Sequence, residues 1–404
     1  MDLAAWLTKI EQLHPQEIDL GLERVASVWQ RLNAPLNAYV ITVAGTNGKG
    51  STVAALQAAA IADGISVCAF TSPHILRYNE RISVNGEMAS DEMICRAFEK
   101  IDAARGEISL SYFEFNTLAA LLVAVEAGVE LLLLEVGLGG RLDAVNIIDA
   151  DLAVVTSIAL DHEDWLGSDL EVIAAEKAGV SRPGRPVVIG EVPPLKFWAS
   201  FAERDGDTFF YGRDFGVDNG EWFGAGLRRP LPVLAIPQNS VAIALQIVAL
   251  CPIFKDTERA SRAVMNTTVF GRMQRVQWQG REVLFDVAHN PASVALLVSR
   301  LGAPERQFDI LFACMADKAL QDMLPALKPF AAKWWLPQLV IPRAARVAVL
   351  ADALQGEQTA CFDSTAEAMV ALESSSRPLL VLGSFFTVSE VMAVMTEHYP
   401  SDAS

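Results

Sequence analysis

Cysteine is scarce in this 404-residue chain, and the few present form no pattern. Cys68, Cys95, Cys251, Cys314 and Cys361 are odd in number and widely scattered, with no C-x-x-C among them, which excludes a disulfide framework and the usual zinc sites. A reducing, cytoplasmic setting is expected. Basic charge is also short: 32 Lys and Arg against 49 Asp and Glu leave a formal net charge of -17. Nucleic acid and anionic membranes both favour a basic face, so no nucleic acid and no membrane is expected as a partner, and an anionic substrate would need locally placed cations. The acidic balance fits a monomer. Long hydrophobic runs are missing as well. Leu118 to Val125 is broken by Glu126 and Glu130 far short of a membrane span. Met1-Asp2 opens without the basic start and apolar core of a signal peptide. Histidine is sparing too, and three of the five (His74, His162, His289) fall in loop motifs described below.

What is present is buried sheet and glycine loops. Apolar residues make up 52% of the chain, and its length suits two domains. Residues 38–52 read Ala-Tyr-Val-Ile-Thr-Val-Ala-Gly-Thr-Asn-Gly-Lys-Gly-Ser-Thr. A β-branched run from Tyr39 to Val43 stops at Gly45, turns through Asn47 and Gly48, and enters an Ala-rich helix over Val53 to Ala62. Strand, glycine loop and helix together bring backbone N–H groups and a helix dipole onto an anion, with Lys49 as a point charge on phosphates. The match to G-x-x-x-x-G-K-[ST] is imperfect, since Val43 holds the first glycine position and Gly50 follows the lysine.

Along the chain, residues 3–34 read as two short amphipathic helices, with Asp19 in Asp19-Leu20-Gly21 a candidate helix cap. A strand over Ser66 to Phe70 ends at Thr71-Ser72-Pro73-His74, where Ser72 is either a second hydroxyl for a metal or part of a plain turn. An irregular segment and hairpin over Arg77 to Gly86 precede a helix over Asp91 to Arg105. Ser111-Tyr112-Phe113-Glu114 leads into a helix over Leu118 to Ala127, and its aromatics could stack on a flat heterocycle or pack in the core. Leu131 to Leu134 is a strand buried on both faces that ends in Glu135, a position suited to Mg²⁺, followed by the loop Val136-Gly137-Leu138-Gly139-Gly140-Arg141-Leu142-Asp143. Asp151 to Ser157 is a further strand, with His162 in the loop beyond it. Lys177 lies in a helix over Leu170 to Gly179; it is either solvated surface or, facing a metal cleft, a neutral amine able to take up CO₂ as a carbamate ligand. Tyr211 to Arg229 reads as a hairpin or excursion, and Ser240 to Leu250 as a helix. A domain boundary is placed at 268/269, giving domains 1–268 and 269–404. Beyond it, strands at Arg281 to Phe285, Ile310 to Ala313, Lys333 to Leu336, Thr359 to Phe362 and Leu379 to Leu382 alternate with helices. The expected fold is α/β: a P-loop-containing N-terminal domain with a mainly parallel sheet, and a smaller Rossmann-like α/β C-terminal domain.

In this order, Ala44-Gly45-Thr46-Asn47-Gly48-Lys49-Gly50-Ser51, Ser72-Pro73-His74, Glu135 to Asp143, Asp161-His162, Glu176-Lys177-Ala178-Gly179 and Asp286-Val287-Ala288-His289-Asn290-Pro291 closely resemble the folylpolyglutamate synthase and dihydrofolate synthase family, relatives of the Mur ligases. The resemblance runs from about Leu13 to about Val388. It implies an ATP-dependent ligase that adds L-glutamate to dihydropteroate and to reduced folates through an acyl phosphate. It also implies site residues. Thr46, Asn47, Gly48, Lys49, Gly50 and Ser51 would cradle ATP, together with Asn239, Arg272, Asp286 and His289. Ser72 and Glu135 would hold one Mg²⁺ and His162 a second, with Lys177 as a carboxylated lysine ligand. A monovalent cation is a further candidate. Asp19, Leu20 and Gly21, Ser111, Tyr112, Phe113 and Glu114, and Leu142, Asp143 and Ala144 would meet the pterin. Lys177, His162, Glu135 and Lys49 would carry the chemistry.

Two stretches depart from the resembled pattern. Pro237-Gln238-Asn239-Ser240 puts Asn239 one place away from the usual nucleotide-contacting asparagine, and Gly383-Ser384-Phe385-Phe386-Thr387 has Phe386 where many relatives have histidine. The competing readings are a monofunctional folylpolyglutamate synthase, a Mur-type ligase acting on a UDP-linked peptide, and a nucleotide-gated binding module. The Mur-type reading wants a domain ahead of the phosphate loop, and only about forty residues precede it. The binding module leaves Glu135, His162 and Lys177 without a shared use.

Overall fold

The computed structural model describes residues 1–16, 19–191, 193, 195–205, 207–304 and 307–398. The chain forms two compact units, Met1–His74 with Tyr78–Thr267, and Ile75–Arg77 with Thr268–Ser404. Among the described residues no helix is long and apolar enough to cross a membrane.

Unit one is built on an eight-stranded sheet of β1 (Tyr39–Ala44), β2 (Val67–Phe70), β3 (Ile82–Val84), β4 (Glu87–Met88), β5 (Leu131–Glu135), β6 (Leu152–Ser157), β7 (Val187–Glu191) and β8 (Thr208–Phe210), in the order β4-β3-β2-β5-β1-β6-β7-β8. Six strands run parallel, and the hairpin β3-β4 is antiparallel at one edge. The strand carrying the phosphate loop is therefore central. Leu131 to Leu134 are fully buried, as a strand covered on both faces requires. Each such leucine contributes roughly 1.5–3 kcal/mol of transfer free energy. The register places Val43 opposite Glu135, which delivers the strand-end carboxylate to the mouth of the phosphate loop.

Several element boundaries differ from expectation for local reasons. The phosphate-loop helix begins at Lys49 rather than Val53, because Gly48 adopts φ +88 as its N-cap and needs no side chain there. The helix expected from Leu118 begins at Tyr112 and runs to Ala127. Ser111 is its N-cap, and Glu114 closes a capping box back onto the Ser111 backbone. Asp19 is not a helix cap: the helix Glu23–Leu32 starts after Leu22 without a side-chain cap. The excursion near 211–229 is a separate antiparallel sheet of β9 (Phe215–Asp218), β10 (Glu221–Gly224) and β11 (Leu227–Pro230). Helix Gln238–Leu250 packs against both this sheet and the large one, so Ser240 to Val248 are all buried.

Unit two is a six-stranded sheet of β12 (Gln274–Trp278), β13 (Arg281–Phe285), β14 (Phe308–Phe312), β15 (Ala331–Pro337), β16 (Thr359–Phe362) and β17 (Leu379–Leu382), in the order β12-β13-β17-β14-β15-β16. Only β12 is antiparallel. Helices such as Pro291–Leu301 and Thr365–Leu372 follow its strands, as in doubly wound folds.

Candidate active site

The phosphate loop is tied to the end of β6. Thr46 N–H donates to Ser157 O at 2.9 Å, and Asn47 N–H donates to Ser157 Oγ at 2.9 Å. Thr156 Oγ1 donates to Asn47 O at 2.7 Å. Gly45, at φ +143, lies so close to Thr156 that a Cβ there would meet its Oγ1 at 1.9 Å. Thr156 and Ser157 are thus part of the loop's scaffold, although the sequence reading passes over them. The available signal is the one that singles out Ser72: hydroxyls at the carboxyl end of a central strand. Behind the loop, Ser240 Oγ donates to Gly48 O at 3.4 Å, and the neighbouring Asn239 side chain accepts from Ser240 N–H. Ser51 is buried in the first turn of the helix.

Glu135 is 5% exposed, and its carboxylate lies 3.5 Å from where a Gly50 Cβ would be. The carboxylate therefore lies against the start of the phosphate-loop helix, at a distance that is ordinary contact for a Cβ. Its Oε2 accepts from Ser72 N–H at 3.1 Å, so the two residues are neighbours through the Ser72 backbone. His162 stands in the loop after β6 with φ +53, its N–H held by Asp161 Oδ1 at 3.0 Å. Among the described residues no three His, Cys, Asp or Glu side chains converge as a metal cage. The Glu135 carboxylate at the phosphate loop nonetheless suits Mg²⁺, which keeps several waters and takes much of its coordination from substrate phosphates.

Lys177 is 4% exposed, so it is not solvated surface. Its Nζ donates to Gly45 O at 3.2 Å, while Lys49 Nζ reaches the same oxygen at 3.0 Å and Thr46 O at 3.3 Å. Burial pushes the Lys177 amine down to about 7, helped by Lys49 and opposed by Asp161, Asp143 and Glu176. Two glycines make the seat. A Cβ on Gly140 would meet Glu176 O at 2.7 Å and Lys177 Cα at 3.0 Å, and one on Gly179 would meet Arg141 Cβ at 2.4 Å. Arg141 clamps the contact by an ion pair with Glu176 at 2.7 Å and by donating its backbone N–H to Glu176 O at 2.8 Å.

Asp143 is buried, and its carboxylate takes Gly137 N–H at 3.0 Å, Leu138 N–H at 2.9 Å and Val145 N–H at 3.1 Å. Burial nevertheless raises it to about 6. Asp143 thus shapes the Gly137–Gly140 loop and caps the turn Ala144–Ile147, with Leu142 beside it. Phe113 is half-buried, against Gly137 and 5.6 Å from the Phe70 ring.

The Asp19 and Ser111–Glu114 segments are brought together by residues the sequence reading does not name. Arg24 pairs with Asp19 at 2.7 Å and with the buried Glu114 at 3.2 Å, and His14 Nε2 meets Asp19 at 3.1 Å. Leu20 and Gly21 follow Asp19 in partly exposed backbone. Close to Tyr112, Arg81 donates to His74 Nδ1 at 2.8 Å. Burial, then Arg81, hold the His74 imidazole down to about 4, so it is a neutral acceptor.

In unit two, Asp286 at the end of β13 accepts Met273 N–H at 3.0 Å and Ala288 N–H at 2.9 Å, and burial raises its carboxyl against the pull of Arg272. The Arg272 guanidinium sits 5.3 Å from the Phe385 ring centre, and His289 lies 6.0 Å from the same ring. Phe386, at the family's histidine position, is half exposed.

The family model for the Mur ligase glutamate ligase domain matches residues 271–385. The dihydrofolate synthase/folylpolyglutamate synthase of Escherichia coli (strain K12) is 39% identical over 406 residues, covering 97% of this chain and 95% of that protein. The structure of E. coli FolC in complex with DHPP and ADP superposes with a TM-score of 0.91 at 38% identity, covering 98% of both chains. A bifunctional folylpolyglutamate synthase/dihydrofolate synthase with Mn, AMPPNP and L-glutamate bound gives 0.88 at 37% identity, again covering 98% of both. The chain therefore belongs to the dihydrofolate synthase/folylpolyglutamate synthase family of Mur-type ligases.

Proposed function

We propose that this protein uses ATP to join L-glutamate to dihydropteroate, forming dihydrofolate, and to add glutamate to reduced folates. The observation that carries this reading is the seat of Lys177, a buried amine held at the phosphate loop's own Gly45 carbonyl. A nucleotide-binding module has no use for such a group. In the proposed reaction an acceptor carboxylate oxygen attacks the γ-phosphorus of ATP and the bond to the β-phosphate oxygen breaks, leaving ADP and an acyl phosphate. The neutral α-amine of glutamate then attacks the acyl carbon, loses a proton, and expels phosphate. Catalysis of this kind is mainly positioning and charge neutralisation.

Thr46, Asn47, Gly48, Lys49, Gly50 and Ser51 hold the phosphates in this reading, and Asn239, Arg272, Asp286 and His289 are further nucleotide contacts. Ser72 and Glu135 would hold one Mg²⁺, and His162 with carboxylated Lys177 a second; when bound, these ions would neutralise phosphate charge. Lys177 reaches that form when its neutral amine adds CO₂ and releases a proton. Domains 1–268 and 269–404 divide the work between phosphate loop and glutamate ligase regions. The Asp19 and Ser111–Glu114 segments, joined through Arg24, favour the bifunctional over the monofunctional reading.

The test is ADP release with ATP, Mg²⁺ and L-glutamate, comparing dihydropteroate with a reduced folate as acceptor. Turnover with both is expected. Turnover with neither would overturn the proposal, and turnover with the reduced folate alone would reduce it to the monofunctional enzyme.

A further inference from the structure

Arg81 is a cation buried to 9% exposure whose side chain makes no ion pair among the described residues. Among the described residues only Nε of its five N–H donors has a protein partner, the Nδ1 of His74 at 2.8 Å. That acceptor is uncharged, since a ring nitrogen that accepts a hydrogen bond carries no proton, and it fixes His74 as the Nε2–H tautomer. The guanidinium carbon lies 5.6 Å from the Tyr112 ring centre and 6.0 Å from that of Tyr78, whose hydroxyl is anchored on Asn116 Oδ1 at 2.7 Å. Folding therefore holds a fork of donors rigidly against two aromatic faces and leaves its charge unneutralised. A buried charge without a partner is unfavourable, and a planar guanidinium is matched best by a carboxylate.

The surroundings say which carboxylate. The turn Thr71–His74 links two groups: Ser72 N–H binds the Glu135 carboxylate at the phosphate loop, and two residues later His74 binds Arg81. On the far side stands Tyr112, in the first turn of the helix capped by Ser111 and Glu114. An acceptor whose flat heterocycle lay along Tyr112 would have a carboxylate within reach of Arg81, 5.6 Å from that ring. We propose that Arg81 binds the aryl carboxylate of the acceptor, with His74 as the positioning residue that aims the guanidinium. This rests on the folate-type acceptor proposed above.

The test uses the full chain and three variants, Arg81→Lys, Arg81→Gln and His74→Phe, assayed with ATP, glutamate and dihydropteroate, with circular dichroism melts to establish folding. Arg81→Gln should raise the KM for dihydropteroate about tenfold or more while leaving the KM for ATP within about twofold, and Arg81→Lys should recover little because the fork is lost. His74→Phe should raise the same KM by a smaller factor. In the wild-type protein, calorimetry should show dihydropteroate binding about tenfold or more tighter than its neutral carboxamide analogue, a comparison that needs no variant to fold. Equal affinity for acid and amide, or an unchanged dihydropteroate KM in folded Arg81 variants, would overturn the assignment, as would a rise confined to the KM for ATP. Absence of wild-type turnover with dihydropteroate would instead overturn the acceptor itself, which separates the two failures.

Discussion

Lys49 and Lys177 direct their Nζ atoms at a single acceptor, the carbonyl oxygen of Gly45, at 3.0 and 3.2 Å. Burial first, and then the neighbouring Lys49, lower the Lys177 amine to about 7, and Lys177 is the more buried of the two. The phosphate loop is thereby also the device that keeps a neutral amine available at ordinary pH.

Replacing Lys177 with methionine should abolish ligation and, in CO₂-depleted buffer, raise stability. Burial and the neighbouring Lys49 lower the amine from 10.5 to about 7, so between these values the unfolded chain binds more protons than the folded one. Wild-type stability therefore rises with pH across that window. The advantage of Lys177→Met should be greatest at pH 7 and below, on the order of a few kcal/mol, and should fade toward pH 10. Thermal melts of both proteins at pH 7 and 9.5 read this directly; equal midpoints at pH 7 would show that burying the amine carries no penalty.

Enzyme stripped of CO₂ should be inactive and should recover on adding bicarbonate. Only the neutral amine reacts, so recovery should slow as pH falls below about 7, approaching about tenfold per pH unit. Reactivation time courses at pH 6, 7 and 8 provide the measurement. Full activity of the stripped enzyme would remove the carbamate from the mechanism.

Gly140→Ala should disable the enzyme without touching a substrate. The new Cβ would press on Glu176 O at 2.7 Å and Lys177 Cα at 3.0 Å, both backbone, so the helix carrying Lys177 must shift. A displacement of this size is expected to lower kcat about 100-fold. ATP affinity, measured by fluorescent nucleotide displacement, should stay close to wild type.

Arg24→Ala should separate the Asp19 and Glu114 segments. It leaves Glu114, 2% exposed, without its cation, at a loss of about 1–3 kcal/mol in stability. The KM for dihydropteroate should rise while that for ATP is unchanged, and steady-state kinetics with each substrate varied in turn would distinguish this from general damage.

Much of the architecture is legible in the chain alone, for local reasons. The strand, glycine loop and helix at residues 39–63 announce themselves through β-branched residues, glycines and alanines, and Leu131–Leu134 through its unbroken apolar run. Arg281–Phe285, Thr359–Phe362 and Leu379–Leu382 have the same bounds in the structure as in the sequence reading, because each is a compact apolar or β-branched run closed by a turn or helix signal. The order of motifs along the chain likewise suffices to identify the family.

Side-chain partners are another matter, because they depend on which distant segments the sheet order makes neighbours. Spacing leaves Lys177 open as surface or site; the glycine contacts at Gly140 and Gly179 bury it. Asp143 stands out in the sequence as an acid at the end of a glycine loop, and only the folded loop shows the three backbone N–H groups that converge on it. Arg24 and Arg81 carry no motif at all. Their importance arises because folding desolvates a charge and then either supplies a carboxylate, as for Arg24, or supplies none among the described residues, as for Arg81. The sequence by itself determined the layers, the strand-end loops and the family, since those follow from local pattern. Only the tertiary structure decided which amine gives up its proton most readily, which carboxylate the backbone holds and which buried cation meets no carboxylate among the described residues, since burial and charge pairing are properties of the assembled fold.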